Sequence, residues 1–241
     1  MRYETRFLTD NDCFRYGGIL QPQGILLHST GVDQRRISAY TVQWNRPGVE
    51  VCVHGMLGLD DAGALCYTQI LPYSTACWGC GAGKYGSYNR SHIQFEICED
   101  QQDPDWCRLT YVAALEVCEG LCRRYGLRPD SVVCHSEAHA RGYASNHGDV
   151  MHWWPKHGLS MDGFRRELRE RLEEKQAMKR YQTLAEVPEA LRQETAELMD
   201  AGALRGTGGA AGLDVTEDML RTMIVCKRYA ELLGKGEANA E

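Results

Sequence analysis

The sequence predicts an α/β fold in which a central mixed β-sheet is flanked by helices and followed by a small C-terminal helical module. Stretches with strand-like apolar patterns lie at residues 23–30, 49–72, 91–100 and 131–134. Apolar residues at helical spacing predict a helix from Pro104 to Tyr125, which Gly126 ends. Strands interspersed with helices in this order are typical of a mixed sheet with helices on its faces.

The second of these stretches predicts a hairpin. Residues 49–55 and 64–71 each alternate like a strand, and Asp60–Gly63 lies between them. Asp and Gly between two β-rich runs favour a tight turn. We therefore expect two antiparallel neighbours in the sheet.

Length, composition and charge limit the classes of function. The chain has 241 residues, of which 43% are hydrophobic and 25% charged, enough for a domain of about 150 residues and a smaller unit. Its net charge of -6 argues against nucleic acid or an anionic membrane as partner. Neither an export signal nor a membrane-spanning apolar run is recognisable. We expect synthesis in the cytoplasm and no membrane insertion.

We predict a domain boundary near residue 175, so that residues 1–175 form one domain and residues 176–241 a linker and a small module. A charged helix, capped at Ser160 and running from Phe164 to about Lys179, precedes the boundary. Beyond it we expect helices at 188–201 and 216–233, joined by a glycine-rich turn at 202–212. About 50 residues are few for an independent core, and such a module usually docks, pairs or binds.

The segment from Cys134 to Trp154 carries the densest group of candidate ligands. It holds four histidines, an aspartate and a glutamate, and it follows the predicted strand at 131–134. Imidazole and carboxylate together suit zinc, and a catalytic zinc takes three protein ligands and leaves one position open. The segment can supply two ligands, so a third must come from elsewhere.

Two upstream strands carry groups that could serve the same site. His28 ends the predicted strand 23–30, and Glu96 interrupts the alternation of Ile93, Phe95 and Ile97. A glutamate that faces an activated water can act as a general base, although the pattern taken alone favours an exposed glutamate on an edge strand. His54 has a similar position in the hairpin, and we expect it to pack beneath the site or to form a hydrogen bond within it, with metal ligation as the alternative.

The cysteines raise a separate possibility. Most of the eleven lie within apolar stretches, where reduced cysteine behaves as a small buried hydrophobe. Cys77 with Cys80, and Cys118 with Cys122, could also form a structural zinc site. The helical spacing around the second pair favours burial in a helix instead. The loop at 77–90 contains four glycines among aromatic residues, which is typical of a loop beside a binding cleft.

Together these pieces resemble the zinc-dependent N-acetylmuramoyl-L-alanine amidases of the type-2 amidase and peptidoglycan-recognition family, in particular the endolysins of phages and prophages. The matching stretches are 24–30, 54–63, 78–81, 89–96 and 134–154. The resemblance covers roughly residues 20–172. It implies hydrolysis of the amide bond between N-acetylmuramic acid and the L-alanine of the stem peptide.

The resemblance also implies roles for individual residues. His28, His135 and Asp149 correspond to the zinc ligands, and Glu96 to the acid-base residue. His147 takes the place of a family lysine that steadies the oxyanion, and its imidazole could donate to the same oxygen. The predicted contacts to the peptidoglycan substrate are Trp78, Tyr85, Asn89 and Trp153. Packing in the core is the alternative for at least one of the two adjacent tryptophans, Trp153 and Trp154.

Two other functions remain open from the sequence. The same fold serves as a peptidoglycan receptor without catalysis, and a different zinc amide hydrolase is a further alternative. The C-terminal module weakly resembles helical repeats appended to lysins, which favours cell-wall binding, with homodimer formation through Met219, Leu220 and Met223 as the alternative. An enzyme of this kind would act on the wall after release from the cytoplasm, and spontaneous lysis on cytoplasmic expression would contradict that expectation.

Overall fold

The fold is that of a computed structural model, in which residues 1–176, 180–204 and 213–238 are described. The chain divides into two compact units, one of residues 1–172 and one beginning at Glu173. The predicted boundary at residue 175 lies close to this division. Each unit has its own hydrophobic core.

The first unit contains the predicted mixed sheet, which has six strands with helices around it. The strands are β1 Arg2–Thr5, β2 Gly24–Asp33, β3 Gly55–Leu59, β4 Leu65–Gln69, β5 His92–Glu99 and β6 Val132–Cys134. Their order is β1-β4-β3-β5-β2-β6. Only β3 and β4 are antiparallel, and all other neighbours run parallel.

The central strands are buried because they form a parallel layer that is covered on both faces. Ile25, Leu26 and Leu27 of β2 have no exposed surface, and Ile93 and Phe95 of β5 have none either. Near-continuous apolar runs are typical of strands in this position. The register pairs His28 of β2 with Glu96 of β5, and Leu27 with Cys134 of β6. Two predicted site residues are therefore neighbours in the sheet, and His135 follows directly beside them.

Five helices surround the sheet: α1 Asp12–Tyr16, α2 Ser38–Trp44, α3 Pro104–Tyr125, α4 His135–Ala140 and α5 Met161–Gln176. Helix α3 has the predicted bounds. Asp103 caps it by accepting hydrogen bonds from the N–H groups of Asp105 and Trp106, and Gly126 ends it with φ of 64°, a conformation that glycine adopts without a Cβ penalty. Ser160 Oγ accepts from Gly163 N–H, in agreement with the predicted cap of α5.

The first strand of the predicted hairpin is displaced. The structure places β3 at Gly55–Leu59 rather than at 49–55, whereas the turn at 60–63 and β4 agree with the prediction. Because glycine has a low β-propensity, the sequence does not predict a strand at residues 55–59. The glycines are required by close packing, since a Cβ at Gly55 would lie 2.2 Å from the hydroxyl oxygen of Tyr67, and one at Gly58 would lie 2.7 Å from Cys98 Sγ.

The alternative that four cysteines form a structural zinc site is wrong. Cys77, Cys80, Cys118 and Cys122 are all buried and free. The last two lie on the core face of α3, as their spacing favoured. Within the described residues, the only group that could hold a metal ion contains none of them. In the same residues, no helix is both long and apolar enough to cross a membrane.

The second unit packs two helices, α6 Glu189–Asp200 and α7 Glu217–Ala238, beside a two-stranded antiparallel sheet of β7 Arg180–Tyr181 and β8 Val215–Thr216. Its core includes Val187, Leu191, Leu198, Leu220 and Ile224. Both helices agree with the predicted positions. Most of the predicted turn at 202–212 and the end of the predicted helix at 164–179 lie outside the described residues.

Candidate active site

The structure brings His28, His135 and Asp149 together at the carboxyl side of the sheet. His28 lies on β2, and His135 is the first residue of α4, immediately after β6. Asp149 begins a 3₁₀ helix that ends at His152. One potential ligand atom from each residue lies within 4.8 Å of the other two. Sheet register explains the proximity of the histidines, whereas the position of Asp149 depends on a loop.

The three ligand atoms converge on one small volume. Asp149 Oδ2 lies 2.6 Å from His135 Nδ1 and 3.4 Å from His28 Nδ1, and the two Nδ1 atoms are 3.1 Å apart. All three side chains are at least nine-tenths buried. Oδ2 of Asp149 nevertheless has no hydrogen bond of good geometry within the described part of the chain. Buried polar atoms that converge without satisfying one another are what a metal centre presents when its ion is absent.

The opposite ring nitrogens of both histidines have their own partners. His28 Nε2 lies 2.8 Å from Gln94 Oε1, an oxygen that can only accept. Ser145 Oγ donates to the carbonyl of Cys80 and lies 3.3 Å from His135 Nε2, so it can accept from that nitrogen. Both Nε2 atoms therefore carry the hydrogen in the neutral rings. The Nδ1 lone pairs are left to face Asp149, as metal ligation requires.

A polar network behind His28 fixes the orientation of Gln94. Gln94 Nε2 donates to Asn89 Oδ1 at 3.0 Å, and the same oxygen accepts from the N–H groups of Gly79 and Cys80. Asn89 therefore holds the glycine-rich loop against β5, and its contact with substrate stays a prediction. Gln94 was not among the predicted site residues. The signal was its place two residues before Glu96, which puts both side chains on the same face of β5.

Glu96 lies beside this centre in an environment that favours its neutral form. Burial, together with the nearby Asp149 and Glu99 carboxylates and against the opposing effect of His28, raises the pKa of Glu96 to about 7. Its Oε2 atom is buried and has no hydrogen-bond partner in the described residues. A carboxyl group with a pKa near neutrality can both accept and release a proton at physiological pH.

The pKa of Asp149 is shifted in the opposite direction from that of Glu96. Burial alone would raise the pKa of Asp149, but the adjacent imidazoles of His135 and His28 hold that pKa below its usual range. An ionised carboxylate and two neutral imidazoles form a donor set that zinc accepts in catalytic sites. The residues present therefore fit the metal that the sequence predicts.

His147 lies at the edge of the site. Its ring is exposed and stacks on the ring of His135, with centroids 4.8 Å apart and planes inclined by 11°. The structure does not test whether His147 donates to the substrate, and that role stays a prediction.

The aromatic residues predicted to contact substrate have different surroundings. Trp153 is fully buried in the core, so the prediction that its ring contacts a substrate is wrong. The alternative, packing in the core, is the role that the structure shows for this ring. Tyr85 is 63% exposed, with Lys84 Nζ 5.1 Å from the ring centre. Trp78 is half-buried and lines a cavity of about 690 Å³ together with Asn89. Trp78 and Tyr85 stay candidates.

His54 has a structural role, as the sequence analysis favoured. It is fully buried, its Nδ1 accepts from Gln94 N–H, and its Nε2–H donates to the carbonyl of Thr75. Burial lowers the pKa of His54 to about 4. The ring is thus a neutral brace between β5 and the segment after β4.

The buried ring of His54 predicts a pH dependence of stability. Because its pKa is lower in the folded state than the ordinary ~6.5, the unfolded chain binds the proton first. The contribution of the neutral His54 ring to the free energy of unfolding is therefore fully present above about pH 6.5. As pH falls towards 4, the free energy of unfolding decreases by roughly 3 kcal/mol because of this residue. His54→Gln should flatten the dependence. Urea unfolding of the metal-free protein, followed by tryptophan fluorescence, measures the difference, and equal slopes would contradict the prediction.

The sequence of this chain matches a known protein family. The family model described as N-acetylmuramoyl-L-alanine amidase (Amidase_2) matches residues 19–150, which is more than half of the chain and includes His28, Glu96, His135 and Asp149. A search of curated proteins finds no match. The family match thus covers the whole candidate centre.

Several solved structures share the fold. PlyL has a TM-score of 0.56 at 20% identity, with 70% of this chain and 97% of that chain covered. A mutant endolysin from Bacillus subtilis has a TM-score of 0.55 at 20% identity, covering 70% and 99%. The hydrolase AmiA of Staphylococcus aureus, solved with its ligand, has a TM-score of 0.54 at 19% identity, covering 73% and 86%. On the extent of the family match, this chain belongs to the N-acetylmuramoyl-L-alanine amidase family.

Proposed function

We propose that this chain is a zinc-dependent peptidoglycan amidase of the endolysin type, which hydrolyses the amide bond between N-acetylmuramic acid and the L-alanine of the stem peptide. The observation that carries the proposal is the convergence of His28, His135 and Asp149 on one buried volume beside a glutamate whose pKa is raised towards neutrality. Membership of the amidase family supports the substrate class.

His28, His135 and Asp149 would hold the metal through Nδ1, Nδ1 and Oδ2, respectively. When bound, zinc supplies a Lewis acid that polarises a carbonyl and acidifies a water molecule. Three protein ligands leave a coordination position for substrate or water. Gln94 and Ser145 keep the two imidazole rings in the tautomer that this role needs.

Glu96 would carry the proton. Its unpartnered Oε2 takes a proton from the attacking water and returns it to the amine of L-alanine as the amide bond breaks. Burial serves both steps, because it brings the pKa of Glu96 close to the working pH. His147, exposed at the rim, would donate an N–H to the developing oxyanion.

Digestion of purified peptidoglycan tests the proposed function. We expect new L-alanine amino groups without new reducing sugar ends, loss of the activity with a chelator, and its return on addition of zinc. Reducing ends without amines would instead indicate a glycosidase. Binding of peptidoglycan without either product would indicate a receptor of the same fold.

We further propose that the second unit binds the cell wall, as the sequence analysis favoured, in a protein that reaches the wall after release from a cytoplasm. The alternative dimer surface needs correction, because Leu220 is fully buried in the core of this unit. Met219 is 45% exposed and stays available for contact. If the second unit binds the wall, the full chain should co-sediment with peptidoglycan more strongly than a chain that ends at residue 176. If the second unit instead mediates self-association, ultracentrifugation should show a dimer of the full chain only.

A further inference from the structure

A buried carboxylate that takes no part in the reaction outlined above lies close to the metal ligands. Glu99 follows Glu96 by three residues on β5, and its side chain has no exposed surface. Both of its oxygens have partners: Oε1 accepts from Gly31 N–H at 2.8 Å, and Oε2 lies 2.8 Å from His152 Nε2. A carboxylate is costly to bury unless its oxygens are paired in this way.

The two partners of Glu99 belong to the segments that carry the first and third ligands. Gly31 lies three residues after His28, where the pairing of β2 with β5 shifts register, and its φ of 70° is a backbone conformation that favours glycine. His152 ends the 3₁₀ helix that Asp149 begins. One side chain therefore links the strand of His28 to the turn of Asp149.

The Asp149 turn needs such a link because its own backbone is strained. Asp149 has φ of 41°, and conformations of this kind cost about 1–3 kcal/mol unless the surroundings enforce them. No side chain caps the 3₁₀ helix. Burial of Val150 fixes its apolar side. Apart from the contacts of Asp149 itself, His152 to Glu99 is the one side-chain hydrogen bond within residues 1–172 that ties this helix to the sheet.

We propose that Glu99 and His152 are positioning residues that hold the Asp149 carboxylate at the distance from His28 and His135 that metal binding requires. The inference rests on the metal site proposed above. Metal ligands must be held within about 0.5 Å of their working geometry. A four-residue turn in a strained conformation would lose that precision once its polar attachment is removed. The pair would thus set metal affinity without contact with metal or substrate.

His152→Ala tests the proposal because the His152 side chain is 31% exposed and its loss leaves the apolar core intact. We expect the dissociation constant for zinc, measured by competition with a chromogenic chelator, to rise by about 10–100-fold, the usual effect of losing a partner that orients a metal ligand. His152→Gln keeps an N–H donor at a similar reach and should restore much of the affinity. The melting temperature of the metal-free protein should change little.

A matched control separates positioning from a general surface effect. His157 lies on the following 3₁₀ helix and bonds to the carbonyl of Gln101 rather than to Glu99. His157→Ala should leave zinc affinity unchanged. In a Glu99→Gln background, His152→Ala should cost less than it does alone, since the two residues act as one unit.

The outcomes distinguish this inference from the proposed function. If the wild-type chain binds zinc and His152→Ala binds it with the same dissociation constant, the positioning role is wrong while the metal site stands. If the wild-type chain binds no zinc, the proposed function fails. An equal loss of affinity in His152→Gln and His152→Ala, with a matching fall in the metal-free melting temperature, would also overturn the positioning role.

Discussion

His28→Ala should yield a folded protein with no bound zinc and no measurable amidase activity. The substitution removes one of three ligand atoms that converge within 4.8 Å, and two protein ligands do not make a stable catalytic zinc site. The neighbouring groups would also relax, because Gln94 loses the ring nitrogen that lies 2.8 Å from its Oε1. Metal content by mass spectrometry and amine release from peptidoglycan are the two measurements.

Substitutions of Asp149 provide the matched control. Asp149→Asn keeps the shape but removes the charge that ligation needs, so it should lose zinc. Asp149→Cys replaces one zinc ligand with another and should retain the metal. Stoichiometric zinc in His28→Ala would mean that the ligand set is wrong. His147, on the exposed side of His135, would then be the residue to examine, because His54 and His152 both have structural partners.

The fold was largely predictable from the sequence because its central strands are buried on both faces. Apolar runs such as Ile25–Leu27 have no other stable location than a covered sheet. The Pro104–Tyr125 helix has an N-cap and a glycine stop that define it locally. β3 was misplaced because Gly55 and Gly58 are present for close contacts with Tyr67 and Cys98. Those contacts depend on partners remote in the sequence, which no local pattern reveals.

The candidate site divides in the same way. His28 and His135 end apolar runs, and the sequence signals such positions, because carboxyl ends of parallel strands meet at one edge of a sheet. The supports of the site gave no comparable signal. Gln94 could have been assigned to the face of Glu96, but its bond to His28 depends on Asn89, which orients the amide. The pair of Glu99 and His152 joins residues 53 positions apart, and only the folded chain shows it.

Glu96→Gln tests the chemical role of the remaining buried carboxyl group. The amide has nearly the same shape as the carboxyl group and keeps one acceptor oxygen, but it cannot take up and return a proton. Because Glu96 is not one of the three converging ligands, zinc should stay bound. Turnover should fall by about 10²–10⁴, the usual cost of losing general acid-base catalysis.

Stability gives an independent expectation for the same variant. Burial raises the pKa of Glu96 to about 7, so the folded state binds this proton more readily than the unfolded state, whose carboxyl group titrates near 4.3. The ionised group therefore destabilises the fold as pH rises through about 7, and neutral Gln should remove that loss. Glu96→Gln should be at least as stable as the wild type at pH 8, measured by urea unfolding. A folded, zinc-loaded variant with near-normal amine release would refute the proton-carrying role of Glu96, because that outcome is expected of a purely structural carboxyl group. The fold and the proposed metal ligands would not be contradicted by that result.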